Sequence, residues 1–423
     1  GHLLLTSRSK SLMRGALVAV PRRCDCRKRI RELLAPALSP LLLSLFVLSS
    51  EAFSPCNPPC SGPCGCWECR RVVRHPSFLL SSHLKMASKS PTDLVKASTR
   101  RIVSSATHCS IDESAVAVLA ASIAGASSST TTSSSPESAA AAEVGQRGTA
   151  MPEWDTETHF FDGGEDTVQY LLVLDALNFC FWPSEGSWEY ERLATGLKKS
   201  LIADPDCLSA SRLAALDDAS LCSLVGGGDP LPLSTERVRL VKEVGEVLMD
   251  KYDGKAAELV RAAEGSAEKL VSLVCEGFAG FRDHAVYKGS QVFFYKRAQI
   301  FVADVWGAFR GESLGKFRDI ASLTMFADYR VPQILQTCGV MVYSESLQQR
   351  IADGVPLTAG SEEECEIRAC TVQAVEMIKQ ALKGDHGVDA HSVQIDWYLW
   401  EEGEKKAASG LLPPHHRTLT VYY

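Results

Sequence analysis

From Ser361 to Gly384 the chain carries a complete helix signal, and a segment of this kind commits its surroundings to helical packing. Ser361-Glu362-Glu363-Glu364 has an N-cap serine followed by acids in the first turn, where the positive end of a helix favours negative charge. Ile367, Thr371, Ala374, Val375, Ile378 and Leu382 recur at helical spacing, and Gly384 is expected to stop the helix. Ser234 is expected to cap a second helix, with Leu240, Val244, Val247 and Leu248 on one stripe. Ser266 starts a third, with Leu270, Leu273, Val274, Phe278 and Phe281 on its face. Residues 298–309 are apolar nearly all round, as in a central buried helix. Pro332 suits the first turn of another helix, before Ile334 and Leu335, and Leu347, Ile351 and Gly354 mark one more short helix. Strand signals are confined to residues 286–295, where a Lys288-Gly289 turn separates two short β-prone runs. Strand and helix do not alternate, which excludes a doubly wound parallel sheet. The fold class read from this pattern is mainly α, with at most a small β-hairpin.

The charge is divided along the chain. Residues 1–92 hold 14 Lys+Arg and 4 Asp+Glu, a net +10, and residues 93–423 carry −17. The acidic body lacks the positive field that phosphate backbones require, so no stable nucleic-acid complex is expected. Residues 1–90 are read as a disordered extension that is either untranslated or a targeting segment. The basic cluster Arg22–Arg31, followed by the apolar run at 41–48, imitates a signal or transit peptide, and the run is too short to span a bilayer. Met86 is the alternative start. Cys56, Cys60, Cys64, Cys66 and Cys69 include one C-x-x-C pair but fit no zinc knuckle, and prolines interrupt them, so no metal site is expected there. Residues 91–150 are read as a helical piece (92–121) followed by a Ser-, Thr- and Ala-rich linker that cannot bury enough apolar surface to order itself. Residues 151–423 form the main body. The eight cysteines scattered through residues 93–423 suit a reduced interior, and the expected location is the cytoplasm, with organelle targeting by the head as the alternative.

No Walker loop, dinucleotide fingerprint, HExxH or nucleophile elbow is present. The chemistry-bearing stretches are dense in aromatics and charge instead. If residues 326–328 are extended, Phe326 and Asp328 point the same way and share one pocket wall. Asp328 precedes the Pro332 helix, whose positive end favours an ionised carboxylate. The structural alternative is an N-cap Asp beside a core Phe. Asp396, Trp397, Trp400 and Glu401 fall within roughly a 140° arc of a helix, at about 100° per residue. They can line a site for a flat, hydrogen-bonding or cationic ligand, or form the face of a terminal helix. Lys296-Arg297 enters the buried helix and can hold a phosphate or pair with an internal acid such as Asp304. His159, beside Phe160 and Phe161, is a hydrogen-bonding ligand group or a satisfied core residue. Asp175 and Asn178 lie in an apolar run and need partners or a ligand.

FYKRAQI at 294–300, MFADYRVPQ at 325–333, EIRA at 366–369 and LNFCFWP at 177–183 together resemble the queuosine salvage family, the queuosine 5'-phosphate N-glycosylase/hydrolases. The resemblance spans about residues 154–423. It implies a helical fold similar to the DNA glycosylases, used on a mononucleotide. It implies hydrolysis of queuosine 5'-monophosphate to queuine, for reuse in tRNA modification, and ribose 5-phosphate, with no metal or organic cofactor. Carried over by residue, it implies a base pocket of His159, Phe326, Asp328, Asp396, Trp397 and Glu401. At 397 the family often has another aromatic and at 401 often Asp. Lys296 matches the lysine of the FYKRAQ motif, with phosphate binding or site organisation as its role. Asp328 is expected to be the catalytic carboxylate, stabilising charge on the ribose or attacking it, with Asp396 or Glu401 handling the base and His159 donating to its carbonyl edge. A monomer that does not engage membranes is expected. Two rivals stand beside this reading: a nucleic-acid glycosylase, and a queuine-binding or delivery protein without turnover.

Overall fold

The computed structural model describes residues 89–128, 151, 153–183, 188–229 and 231–423. The expectations for the head, its cysteine cluster and most of the Ser/Thr/Ala run lie outside these residues. Helix α1 (Pro91–Val103), strand β1 (Cys109–Ile111) and helix α2 (Glu113–Ser128) open the described chain. Helices α3 (Glu165–Leu177), α4 (Tyr190–Ala203), α5 (Ala210–Ala214), α6 (Asp218–Leu224), α7 (Ser234–Lys251), α8 (Ala256–Ala262) and α9 (Ala267–Gly277) follow. A hairpin of β2 (His284–Tyr287) and β3 (Ser290–Phe293) leads into α10 (Lys296–Ala308). Helix α11 (Arg330–Thr337), strand β4 (Met341–Tyr343) and helices α12 (Glu345–Ala352), α13 (Glu362–His386) and α14 (Ser392–Ala408) complete it. The fold is mainly α. Among the described residues no helix is long and apolar enough to cross a membrane.

Local chemistry accounts for most element ends. The Ser361 side chain accepts from the Glu364 amide at the start of α13. That helix runs through Gly384 and stops at Gly387, which takes φ +67°. Gly384 was the expected stop. A helix tolerates an interior glycine for about 1 kcal/mol, whereas the stop needs the left-handed conformation, which Gly387 supplies. Ser266 caps α9 through the Lys269 amide, but α9 ends at Gly277 and leaves Phe281 in a following 3-10 turn. Ser234 is the first residue of α7 rather than its cap, and its hydroxyl bonds Asp218. Helix α10 begins at Lys296, two residues before the apolar run, and so includes the Lys296-Arg297 pair.

The hairpin forms at Lys288-Gly289, both at positive φ, as a two-residue turn with Tyr287 opposite Ser290. A second antiparallel pair, β1 with β4, sets Cys109 opposite Tyr343. Three residues on each side are too short for an alternation pattern, so this ladder was not read from the sequence.

Among the described residues two large hydrophobic cores result, beside a small cluster of Phe179, Cys180 and Leu240. One gathers α3, α4 and α7–α10 through Leu171, Leu174, Leu193, Val244, Leu270, Phe301 and Val302. The other gathers α1, α2, α11, α13 and α14 through Val95, Ile102, Ile123, Ile334, Ile367, Val375 and Leu399. The helical piece before the Ser/Thr/Ala run therefore docks on α13 instead of standing apart. Two elements straddle the seam between the cores. Phe326 belongs to the first core and Ala327 to the second. On α14, Val393 and Trp397 face the first core while Ile395 and Leu399 face the second.

Candidate active site

A cavity of about 690 Å³ opens at this seam, within the size range of small-molecule sites. Lys296, Ile300, Asp304 and Gly307 line it from one face of α10, at helical spacing. Phe326 and Asp328 line it from the strap before α11, and Asp396, Trp397, Trp400, Glu401 and Glu404 from α14. Trp154, His159, Asn178, Trp182, Trp188 and Tyr190 close the other side. The structure thus gathers His159, Lys296, Phe326, Asp328, Asp396, Trp397 and Glu401 around one space. Asp304, Tyr190, Trp154 and Arg330 also lie in the lining. Of these, Asp304 was weighed in the sequence as a partner for the Lys296-Arg297 pair, Arg330 falls in the MFADYRVPQ motif and Trp154 opens the stretch of resemblance.

Buried arginines set this geometry. Arg368 of the EIRA motif donates to both oxygens of Asp283, at 2.9 and 2.6 Å, and to the Ala327 carbonyl at 3.0 Å. Asp283 in turn accepts from the Lys296 amide at 3.1 Å. One guanidinium therefore fixes both the start of α10 and the strap carrying Phe326 and Asp328. Glu366 of the same motif accepts from the amides of Thr107, His108 and Cys109 and from the Tyr287 hydroxyl. Glu362 and His108 come close enough to share a cation with it, yet Lys288 lies 3.7 Å from Glu362 and 4.0 Å from Glu366 and already supplies the positive charge. Arg237 and Arg297 donate to the carbonyls of Asp175, Ala176, Leu177, Phe179 and Cys180, which shapes the LNFCFWP wall. Arg297 is thus a structural cation and is absent from the lining.

Charge in the cavity is unbalanced towards acid. Asp328 accepts from the amides of Arg330 and Val331 at 3.1 and 3.0 Å. Burial nevertheless pushes its carboxyl above the ordinary range, with Lys296 pulling it down. The helix end alone was expected to keep it ionised; burial opposes that, and the lysine is needed. Burial lowers the Lys296 ammonium, and Asp328, Asp175 and Asp396 raise it. Asp396 accepts from the Phe326 amide at 3.0 Å and is pushed well up by burial and then by Asp328. Glu401 sits at the exposed rim, 3.1 Å from Lys405. Lys296 Nζ reaches the Asn178 carbonyl at 3.4 Å.

His159 has both ring nitrogens engaged. Nδ1 lies 3.1 Å from the Asp155 carbonyl, which can only accept, so Nδ1 carries the proton. Nε2 then accepts from the Tyr190 hydroxyl at 2.9 Å. Burial lowers the imidazole and keeps it neutral. In this arrangement His159 has no free N–H to give a ligand, and it orients Tyr190 instead. Trp397 stacks on Trp306 with centroids 5.8 Å apart, and its ring edge lies over Gly307.

Residues 158–423 match the family described as queuosine salvage protein. The chain belongs to this queuosine salvage family. It is 51% identical over 259 residues to the queuosine 5'-phosphate N-glycosylase/hydrolase of Dictyostelium discoideum, covering 61% of this chain and 79% of that one. The protein of the same name from Sphaerobacter thermophilus is 40% identical over 340 residues, 78% of this chain and 97% of its own. The Mus musculus protein of that name is 34% identical over 282 residues, 61% of this chain and 82% of its own. The Sphaerobacter alignment is long enough to reach upstream of the Ser/Thr/Ala run, in keeping with the docking of α1 and α2 on α13. All four queuosine salvage motifs quoted from the sequence fall on the cavity wall or on the residues that pin it.

Proposed function

We propose that this chain hydrolyses the N-glycosidic bond of queuosine 5'-monophosphate, releasing queuine and ribose 5-phosphate. The observation that carries the reading is Asp328 facing Lys296 in an aromatic cavity, on a chain whose relatives are named for that activity. Cleavage moves the bonding electrons onto the base and builds positive charge on the ribose. Asp328 stabilises that charge or attacks the anomeric carbon. Lys296 keeps the carboxyl ionised against its burial, which favours site organisation as its role. Lys296 and Arg330 are the lysine and arginine of the lining, so the phosphate is expected to reach one of them. A 7-deazaguanine base has no N7 to protonate, which raises the demand on Asp328. Asp396 and Glu401 offer acceptors to the base's N–H groups, one deep and one at the rim. Phe326 and Trp397 offer it flat faces. Water then supplies hydroxide to the anomeric carbon, and its proton makes up the one taken by the base. The −17 body favours a free nucleotide over a tRNA or DNA duplex.

The test is a chain starting at Met86, incubated with queuosine 5'-monophosphate and separately with queuosine, with free queuine followed by mass spectrometry. Rapid release from the nucleotide is expected. Asp328→Asn should lower the rate by at least about a hundredfold, and a near-normal rate would end that assignment. Tight binding of queuine with no release from either substrate would replace the enzyme by a binding or delivery protein.

A further inference from the structure

Of the acids on the inner cavity wall, Asp328 and Asp396 are held by backbone amides, whereas the Asp304 carboxyl has no hydrogen bond or ion pair from any described residue. Asp304 is 7% exposed and lines the cavity. A buried carboxyl without a donor is costly unless something supplies one. The surrounding groups do not. Asp175 and Tyr170 face it from α3, Tyr190 from α4, Asp396 from α14, and Lys296 from its own helix. Asp175, fully buried, has no hydrogen bond of good geometry on either carboxyl oxygen. Lys296 is the one cation in that group, and Asp328, Asp175 and Asp396 draw on it too. The two residues are also separated by eight positions of α10, about 12 Å along the axis. Asp304 therefore stands in surplus negative charge, beside the aromatic wall that Trp154 and Trp397 build over Gly307.

A ligand that brings a positive charge to this point would supply the missing partner. Queuine is such a ligand, because its ring carries an aminomethyl arm whose secondary amine is protonated at neutral pH. We propose that Asp304 binds this secondary ammonium and so selects 7-deazaguanine bases that bear a cationic arm. The inference rests on the function proposed above and adds how the base is chosen. It has a titration signature. Burial pushes Asp304 up to about 7, so near neutral pH part of it carries a proton. An ammonium favours the ionised form, so binding the arm releases that proton, and binding weakens as pH falls through this range.

The test uses the full chain, wild type and Asp304→Asn, titrated calorimetrically with queuine and with 7-deazaguanine, the same ring without the arm. Titrations run near pH 7 in two buffers of different ionisation heat. The variant is expected to lose roughly tenfold to a hundredfold in queuine affinity. Its 7-deazaguanine affinity should stay within about twofold. The buffer-dependent part of the queuine heat should disappear in the variant. Equal losses for both bases would place Asp304 on the ring or in the framework and overturn the proposal, as would an unchanged queuine affinity. If Asp304→Asn does not fold, the wild type decides: its preference for queuine over 7-deazaguanine should fall from about pH 8 to about pH 6, and a constant preference overturns the proposal. A wild type that binds neither base overturns the functional reading as well, whereas one that binds queuine without this preference overturns only the role of Asp304.

Discussion

Lys296 and Asp328 control each other's charge. Burial pushes the lysine towards its neutral form and the aspartate towards its acid form, and each opposes the effect on the other. A carboxylate that must be ionised to act loses its cationic neighbour in Lys296→Met. Its pKa then rises, so the acid limb of the pH–rate profile should move to higher pH and the rate near neutrality should fall, recovering in more alkaline buffer. A variant that is slow at every pH with an unmoved limb would return Lys296 to phosphate binding. Phe326 and Asp328 were legible as a pair because alternate residues of an extended strap share a face. The engagement of His159 was not legible, because it depends on Tyr190 arriving from the start of another helix.

Helices α10 and α14 build the floor of the site by close approach. A Cβ at Gly307 would lie 3.1 Å from the Trp397 ring edge, so the tryptophan must give way by a few tenths of an ångström. Gly307→Ala should therefore raise KM severalfold by tilting the ring. It should not lower the melting temperature, because alanine gains up to about 1 kcal/mol in a helix. A KM equal to that of the wild type would show that Trp397 does not touch substrate. The helices themselves were legible from caps and apolar spacing. Their ends were not always legible: Gly384 and Gly387 are both plausible stops by residue type, and only the second takes the left-handed backbone. Arg368 was legible only as part of the EIRA motif; its burial was not, because its partner Asp283 lies 85 positions away.

At the scale of the whole molecule, the segment before the Ser/Thr/Ala run is part of the second core. Val95, Ile102, Val116 and Ile123 are at most 4% exposed. Burying an aliphatic side chain of this size contributes about 1.5–3 kcal/mol, so together they are comparable with a total stability of about 5–15 kcal/mol. The same segment satisfies Glu366 with three amides and Gln373 with the Thr99 hydroxyl. A chain starting at Met151 should therefore be insoluble or melt far lower than one starting at Met86. Equal melting of the two by calorimetry would contradict the docking described here. The sequence by itself determined the helical class, the hairpin turn, the acidic body and the chemical types of the site, since these follow from local spacing, caps and composition. Only the tertiary structure decided that α1 and α2 close the second core, that three arginines hold the cavity wall, and that Asp304 is left without a partner. Those depend on which distant groups meet in low dielectric, where an unpaired charge is costly, and no local pattern records such a meeting.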